Sequence, residues 1–136
     1  MSTRGWRQVA RTESRVGRVA AGLLLLTGLC VSLLVYPASE WLPLWDVGLH
    51  FVGGGAVALI ASGLVSPQMS WLITGFFTIT WELFEVGIPG QREVAGANWP
   101  AWVVMQDITL DILAAVVGAG FVVYVLLHTE SDGNFE

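Results

Sequence analysis

The 136 residues contain no lysine, a single cysteine and few charges of any kind. Charged residues make up 12% of the chain, about half the usual share of a soluble domain, while hydrophobic residues make up 54%. So few charges cannot clothe the surface of a soluble fold of this length, whereas a bilayer-embedded fold does not need them. The net charge of -5 excludes a broad basic face for nucleic acid. With Cys30 alone, and that inside an apolar run, no internal disulfide is possible and no redox compartment can be inferred. No alternating apolar–polar pattern recurs, so a membrane β-barrel is not indicated.

What is present is four apolar stretches, roughly Val19–Tyr36, Asp46–Val65, Trp71–Ile88 and Val104–Leu127, divided by turn-rich links at Pro37, Ser66-Pro67 and Pro89-Gly90. Each approaches the ~20 residues needed to cross the hydrocarbon layer, where only helices or closed barrels satisfy the backbone. The expected fold is therefore an all-α integral membrane protein: a four-transmembrane-helix bundle preceded by a short basic amphipathic helix. Residues 1–18 form the basic segment, 19–128 the transmembrane domain and 129–136 a short polar tail. Val19–Tyr36 exceeds the ~7–15 residues of a signal-peptide core and no small-x-small site follows it, so it reads as a retained helix.

The charges are unevenly distributed. Five of the six arginines (Arg4, Arg7, Arg11, Arg15, Arg18) precede the first apolar run at steps of 3, 4, 4 and 3, which puts them on one helical face suited to anionic lipid. By the positive-inside rule both termini are cytoplasmic and the protein resides in the plasma membrane. The links Pro37–Trp45 and Gly87–Val103 then face outward, carrying Trp41, Trp45, Trp99 and Trp102 at the interface. Gly54, Ala58 and Ser62 on the second span, and Ala114 with Gly118 on the fourth, make small-residue stripes of the kind that let helices pack closely in lipid. The run Gly53-Gly54-Gly55 has a second reading, as space for a ligand beside His50.

Ionisable residues inside spans are costly and usually mark function. Here they form three pairs: Asp46 and His50, Glu82 and Glu85, Asp107 and Asp111, each spaced three or four apart and so on one face. Alternating span directions bring all three pairs into the outer half of the membrane. His50, Glu82 and Asp111 form a deeper layer, roughly 6–9 Å from their helix ends, and Asp46, Glu85 and Asp107 a shallower one. Five carboxylates side by side in low dielectric must be neutralised by a cation or by shared protons. All six are candidate ligands of a divalent metal, with His50, Glu82 and Asp111 the candidate catalytic groups. An imidazole with oxygens suits Zn²⁺, Mn²⁺ or Fe²⁺, and oxygens alone suit Mg²⁺ or Ca²⁺.

Simpler roles compete. Asp46 and Asp107 suit helix N-termini, Glu85 suits a solvated helix end, and His128 suits an interfacial position, while Glu130, Asp132 and Glu136 belong to the solvated tail. Arg92 and Glu93 read first as neighbouring surface charges. If the outer link folds over the cluster as a lid, Arg92 is the residue placed to meet an anionic group such as a phosphate of the substrate.

The motifs Asp46-Val-Gly-Leu-His50-Phe51, Trp81-Glu82-Leu-Phe-Glu85 and Asp107-Ile-Thr-Leu-Asp111 with Gly118-Ala119 resemble those of the YjdF-like and VanZ-like small polytopic membrane proteins. The resemblance covers the last three spans and is nearer to the YjdF-like group, through the paired aspartates. It departs from VanZ-like chains at Val47, where those tend to have Lys, and at Glu85, where they tend to have Gln. Both groups commonly place Asn at the position of Ala115. The resemblance implies a multi-pass membrane protein with a shared polar site and settles no activity.

Three functions follow as expectations. The first is a metal-assisted site acting on a lipid-linked or envelope substrate. The second is a structural or partner-binding subunit whose acids clamp the helices together. The third is an ion- or proton-coupled transporter, which the lack of ionisable groups in the cytoplasmic half disfavours. Membrane lipids are the expected partners. Four short spans leave little room for a large enclosed cavity, which favours a homo-oligomer.

Overall fold

The computed structural model describes residues 3–35, 45–87 and 101–132, and all of them lie in or between four helices. These are α1 (Thr3–Val35), α2 (Trp45–Leu64), α3 (Pro67–Gly87) and α4 (Ala101–Asp132). Among the described residues, three of them contain stretches long and apolar enough to cross a membrane: Glu13–Ser32, Asp46–Leu64 and Trp102–Thr129. The expectation was four. Helix α3 has the length, 21 residues or about 31 Å, but its apolar character is diluted by the buried Ser70, Thr74, Thr78 and Glu82 and by the exposed Gln68 and Thr80.

Local chemistry sets the helix ends. Pro37 follows α1, Pro89 follows α3 and Pro100 precedes α4, each at a position where proline stops or starts a helix. Between α2 and α3 the chain turns within two residues. The Val65 amide still bonds back to the Ala61 carbonyl (2.8 Å), and Ser66 then caps α3, its Oγ accepting from the Met69 amide at 3.4 Å with Pro67 at the first helical position. This cap explains why α3 begins four residues before the expected Trp71. Its first turn is too polar to register as an apolar run.

The arginine-bearing segment and the first apolar run form one unbroken helix, so no backbone break separates them at residue 18. At 33 residues α1 is about 50 Å long, well beyond the ~30 Å of a hydrocarbon core. Among the described residues it packs only on α2, and α2 in turn contacts all three other helices. Pairings fix the directions. Arg15 and Val19 lie against Gly63, Gly22 against Ile60 and Ala56, and Leu29 against Gly53, so α1 and α2 are antiparallel. Gly54 meets Ala115, and Gly55 meets Gly118 and Val122, so α2 and α4 are parallel. Trp71 approaches Gly120 and Gly75 approaches Val116, which sets α3 antiparallel to α4.

The interior is unlike that of a soluble domain. Among the described residues the buried apolar ones are all alanines: Ala56, Ala58, Ala61, Ala114, Ala115 and Ala119. The largest fully buried side chains are Thr74, Ser62 and Ser70, while Leu24, Phe76 and Leu83 are among many large apolar residues that face outward. Soluble folds put large apolar side chains inside, and here they form the outer surface. The hydroxyls inside satisfy themselves on their own helices, Ser70 donating to the Pro67 carbonyl (2.7 Å), Thr74 to that of Ser70 (2.9 Å) and Ser62 to that of Leu59 (2.8 Å). Between helices, the Trp71 indole N–H donates to the Val116 carbonyl (3.1 Å), and Arg18 donates to the Ser62 carbonyl (3.3 Å) near the C-terminal end of α2.

The α2–α4 contact is the tightest. A Cβ on Gly54 would overlap the Ala115 backbone, with the Ala115 Cα at 2.6 Å, and a Cβ on Gly118 would overlap the Phe51 carbonyl. Backbone cannot yield as a flexible side chain does. The Gly53-Gly54-Gly55 run therefore serves packing, the first of its two readings. Gly54→Ala is expected to lose about 1–3 kcal/mol through overpacking. Gly48→Ala, where nothing lies within 4 Å of the added carbon, is expected to be neutral or to gain up to about 1 kcal/mol from helix propensity. Unfolding in detergent followed by circular dichroism checks the pair; equal stabilities would refute the assigned contact.

Candidate metal centre

Both members of the first ionisable pair lie near the start of α2, where Asp46 occupies the first turn and suits the positive end of the helix dipole. His50 follows one turn later on the same face. Its ring reaches across to two other helices. Nδ1 lies 3.6 Å from Glu82 Oε1 on α3, while Nε2 lies 3.9 Å from Asp111 Oδ2 on α4 and 3.7 Å from Asp46 Oδ1. One imidazole thus stands at ion-pair distance from three carboxylates carried by three helices.

The carboxylates differ in exposure. The Glu82 and Asp111 side chains are 5% and 6% exposed, His50 is 21% exposed and Asp46 is 61% exposed. Burial of a carboxylate is tolerated only with a partner or a cation beside it. The cluster accordingly has a sealed inner side, formed by Glu82 and Asp111, and an open edge at Asp46. An ion or water would enter past Asp46.

Asp46, His50 and Asp111 each offer one ligand atom, and these atoms all lie within 4.8 Å of one another. Ligand atoms around a tetrahedral Zn²⁺ are about 3.4 Å apart, so the 3.7 and 3.9 Å separations need only small side-chain adjustments to close on an ion. The donor set of one imidazole nitrogen and two carboxylates suits a borderline divalent metal, and three protein ligands leave positions for water or substrate.

The structure treats the six proposed ligands unequally. Asp46, His50 and Asp111 converge, and Glu82 approaches the same imidazole on its other nitrogen. Asp107, one turn before Asp111, lies close enough to interact electrostatically with Asp46 and His50 but stands outside the converging trio. Glu85 belongs to α3, and its side chain lies outside the described residues, as does Arg92 altogether. Asp111 sits deeper than expected. Helix α4 starts at Ala101, which puts Asp111 about 15 Å along it instead of 6–9 Å, whereas Glu82 and His50 are each about 7.5 Å from their helix ends. The three still meet because α4 extends past the ends of its neighbours.

One feature beyond the pairs belongs to the site's surroundings. Ser70, Thr74, Thr78 and Glu82 recur every four residues on α3 and all are buried, so the acid ends a row of hydroxyls along one face. The spacing is visible in the sequence, but the surrounding Trp, Phe and Ile residues mask it as an ordinary apolar run. At the opposite end of the molecule from the His50 cluster lie Arg15, Arg18 and the α2–α3 turn.

Comparison with known families, with curated proteins and with solved structures returns no match to this chain.

Proposed function

We propose that this chain is a four-span integral membrane protein of the YjdF-like and VanZ-like type, whose Asp46–His50–Asp111 centre holds a divalent metal and acts on a lipid-linked or envelope substrate from the outer side. The observation that carries the reading is the convergence of the His50 imidazole with carboxylates from α2 and α4 at 3.7 and 3.9 Å. A metal held there activates water or polarises a phosphoryl oxygen. The open edge at Asp46 gives a substrate its approach, and the buried Asp111 anchors the ion from beneath.

The fourth span in this reading is α3, whose polar residues Ser70, Thr74, Thr78 and Glu82 are buried in the bundle while Phe76, Leu83 and Phe84 face outward. Lipid would meet mainly its apolar side, where the exposed Thr80 hydroxyl donates to the Phe76 carbonyl of its own helix. Orientation in the plasma membrane follows from the arginines. Arg15 and Arg18 lie toward the end of the described helices opposite the metal centre, which under the positive-inside rule supports a centre on the outer side and termini in the cytoplasm. Arg92, in the outer link, remains the candidate for contact with an anionic substrate group.

The polar-clamp reading also has support, in the buried Glu82 and Asp111 carboxylates that reach one imidazole from two helices. Metal content separates the two. Protein purified in mild detergent without chelator is expected to carry about one divalent ion per chain by mass spectrometry. His50→Ala and Asp111→Ala should lose it, and Asp107→Asn should retain it. Absence of metal from the wild type, persisting after reloading with Zn²⁺ and Mn²⁺, would leave the clamp as the better account. Topology is checked separately in a Cys30→Ser background. A Ser66→Cys thiol should react with impermeant maleimide only after the cytoplasmic side is opened, and an Ala97→Cys thiol in intact cells.

A further inference from the structure

Glu82 occupies a position different from the other carboxylates of the centre. Asp46 and Asp111 face Nε2 of His50, whereas Glu82 faces Nδ1. The two ring nitrogens point away from each other, so a single ion cannot use both lone pairs. In a neutral imidazole one nitrogen carries the proton and the other offers the lone pair. Carboxylates face both nitrogens, and those at Nε2 come as a pair able to share an ion, which leaves the ring proton to Nδ1 and the buried Glu82 carboxylate 3.6 Å from it. The lone pair is then left on Nε2, aimed between Asp46 and Asp111.

Resting on the metal reading above, we propose that Glu82 is not a ligand of the ion but the residue that positions one. It holds His50 as the Nδ1–H tautomer and locks the ring so that Nε2 completes a His/Asp/Asp trio. Carboxylate–histidine–metal arrangements of this kind raise the basicity of the imidazole and fix its direction. The assignment divides the four clustered groups by role. Asp46, His50 and Asp111 bind the ion, and Glu82, on a third helix, ties the orientation of the ligand to the packing of α3 against α2. It also defines the class of ion. A single nitrogen donor with two carboxylates and open positions suits Zn²⁺, Co²⁺, Mn²⁺ or Fe²⁺, whereas Ca²⁺, with its 6–8 oxygen ligands, would be poorly served.

The experiment pairs metal titration with spectroscopy on the full chain in detergent, using Co²⁺ and Zn²⁺ as the probes. Glu82→Gln is expected to keep one ion per chain and the wild-type Co²⁺ absorption spectrum, while its Kd rises about 10–100-fold. Asp46→Asn and Asp111→Asn should alter the Co²⁺ spectrum or lose the ion. In ¹⁵N-histidine-labelled wild type loaded with Zn²⁺, the His50 resonances should show a metal-bound Nε2 and a protonated Nδ1. Glu82→Gln losing the ion outright, changing the Co²⁺ spectrum, or binding as tightly as wild type would overturn the assignment, as would a metal on Nδ1. If the wild type takes up neither ion, the metal reading itself fails. The ¹⁵N spectrum of the Zn²⁺-loaded wild type needs no variant that must fold, and an unprotonated Nδ1 there would refute the role of Glu82.

Discussion

The close approach of α2 and α4 is the constraint on which the rest of the molecule depends. Gly54 lies against the Ala115 backbone and Gly118 against the Phe51 carbonyl, so two parallel helices meet with no side chain between them. A contact of this kind would draw in lipid on dispersion and fit, because apolar side chains gain nothing by leaving hydrocarbon for protein. One turn above it, the same proximity brings Asp46 and His50 beside Asp111. The packing interface and the polar centre are successive turns of the same pair of helices. A change in one is felt in the other.

From that contact the division of the interior follows. Small residues and hydroxyls fill the bundle, and the large apolar side chains are turned out. Hydroxyls bonded to carbonyls of their own helix remain small and need no partner from elsewhere, so they pack almost as alanine does. Carboxylates cannot do this. Glu82 and Asp111 are buried all the same, each at ion-pair distance from the imidazole between them.

Charge is segregated along the same axis. The described arginines of α1 lie beside the C-terminal half of α2, where Arg18 reaches the Ser62 carbonyl, and the carboxylates gather near its N-terminal half. Both ends agree with the dipole of α2, which favours anions at its start and cations at its finish. A single helix therefore organises the described residues electrostatically as well as sterically, being the one described element in contact with all the others.

Much of this was legible in the residues themselves. The apolar runs, their proline and glycine boundaries and the three pairs of ionisable residues determine the helices and the faces on which Asp46, His50, Glu82 and Asp111 stand, because helical periodicity is a local property. The sequence also determined that these groups share one end of the bundle, since helices joined by short links must alternate in direction. Other features were decided only by the tertiary structure. The continuity of α1 through residue 18 and the polar first turn of α3 escaped an apolar reading because neither depends on hydrophobicity. The split of roles within the site, Glu82 on one ring nitrogen and Asp46 with Asp111 on the other, had no counterpart in spacing. Spacing sets which face a side chain occupies. Which edge of an imidazole it meets depends on how three helices cross.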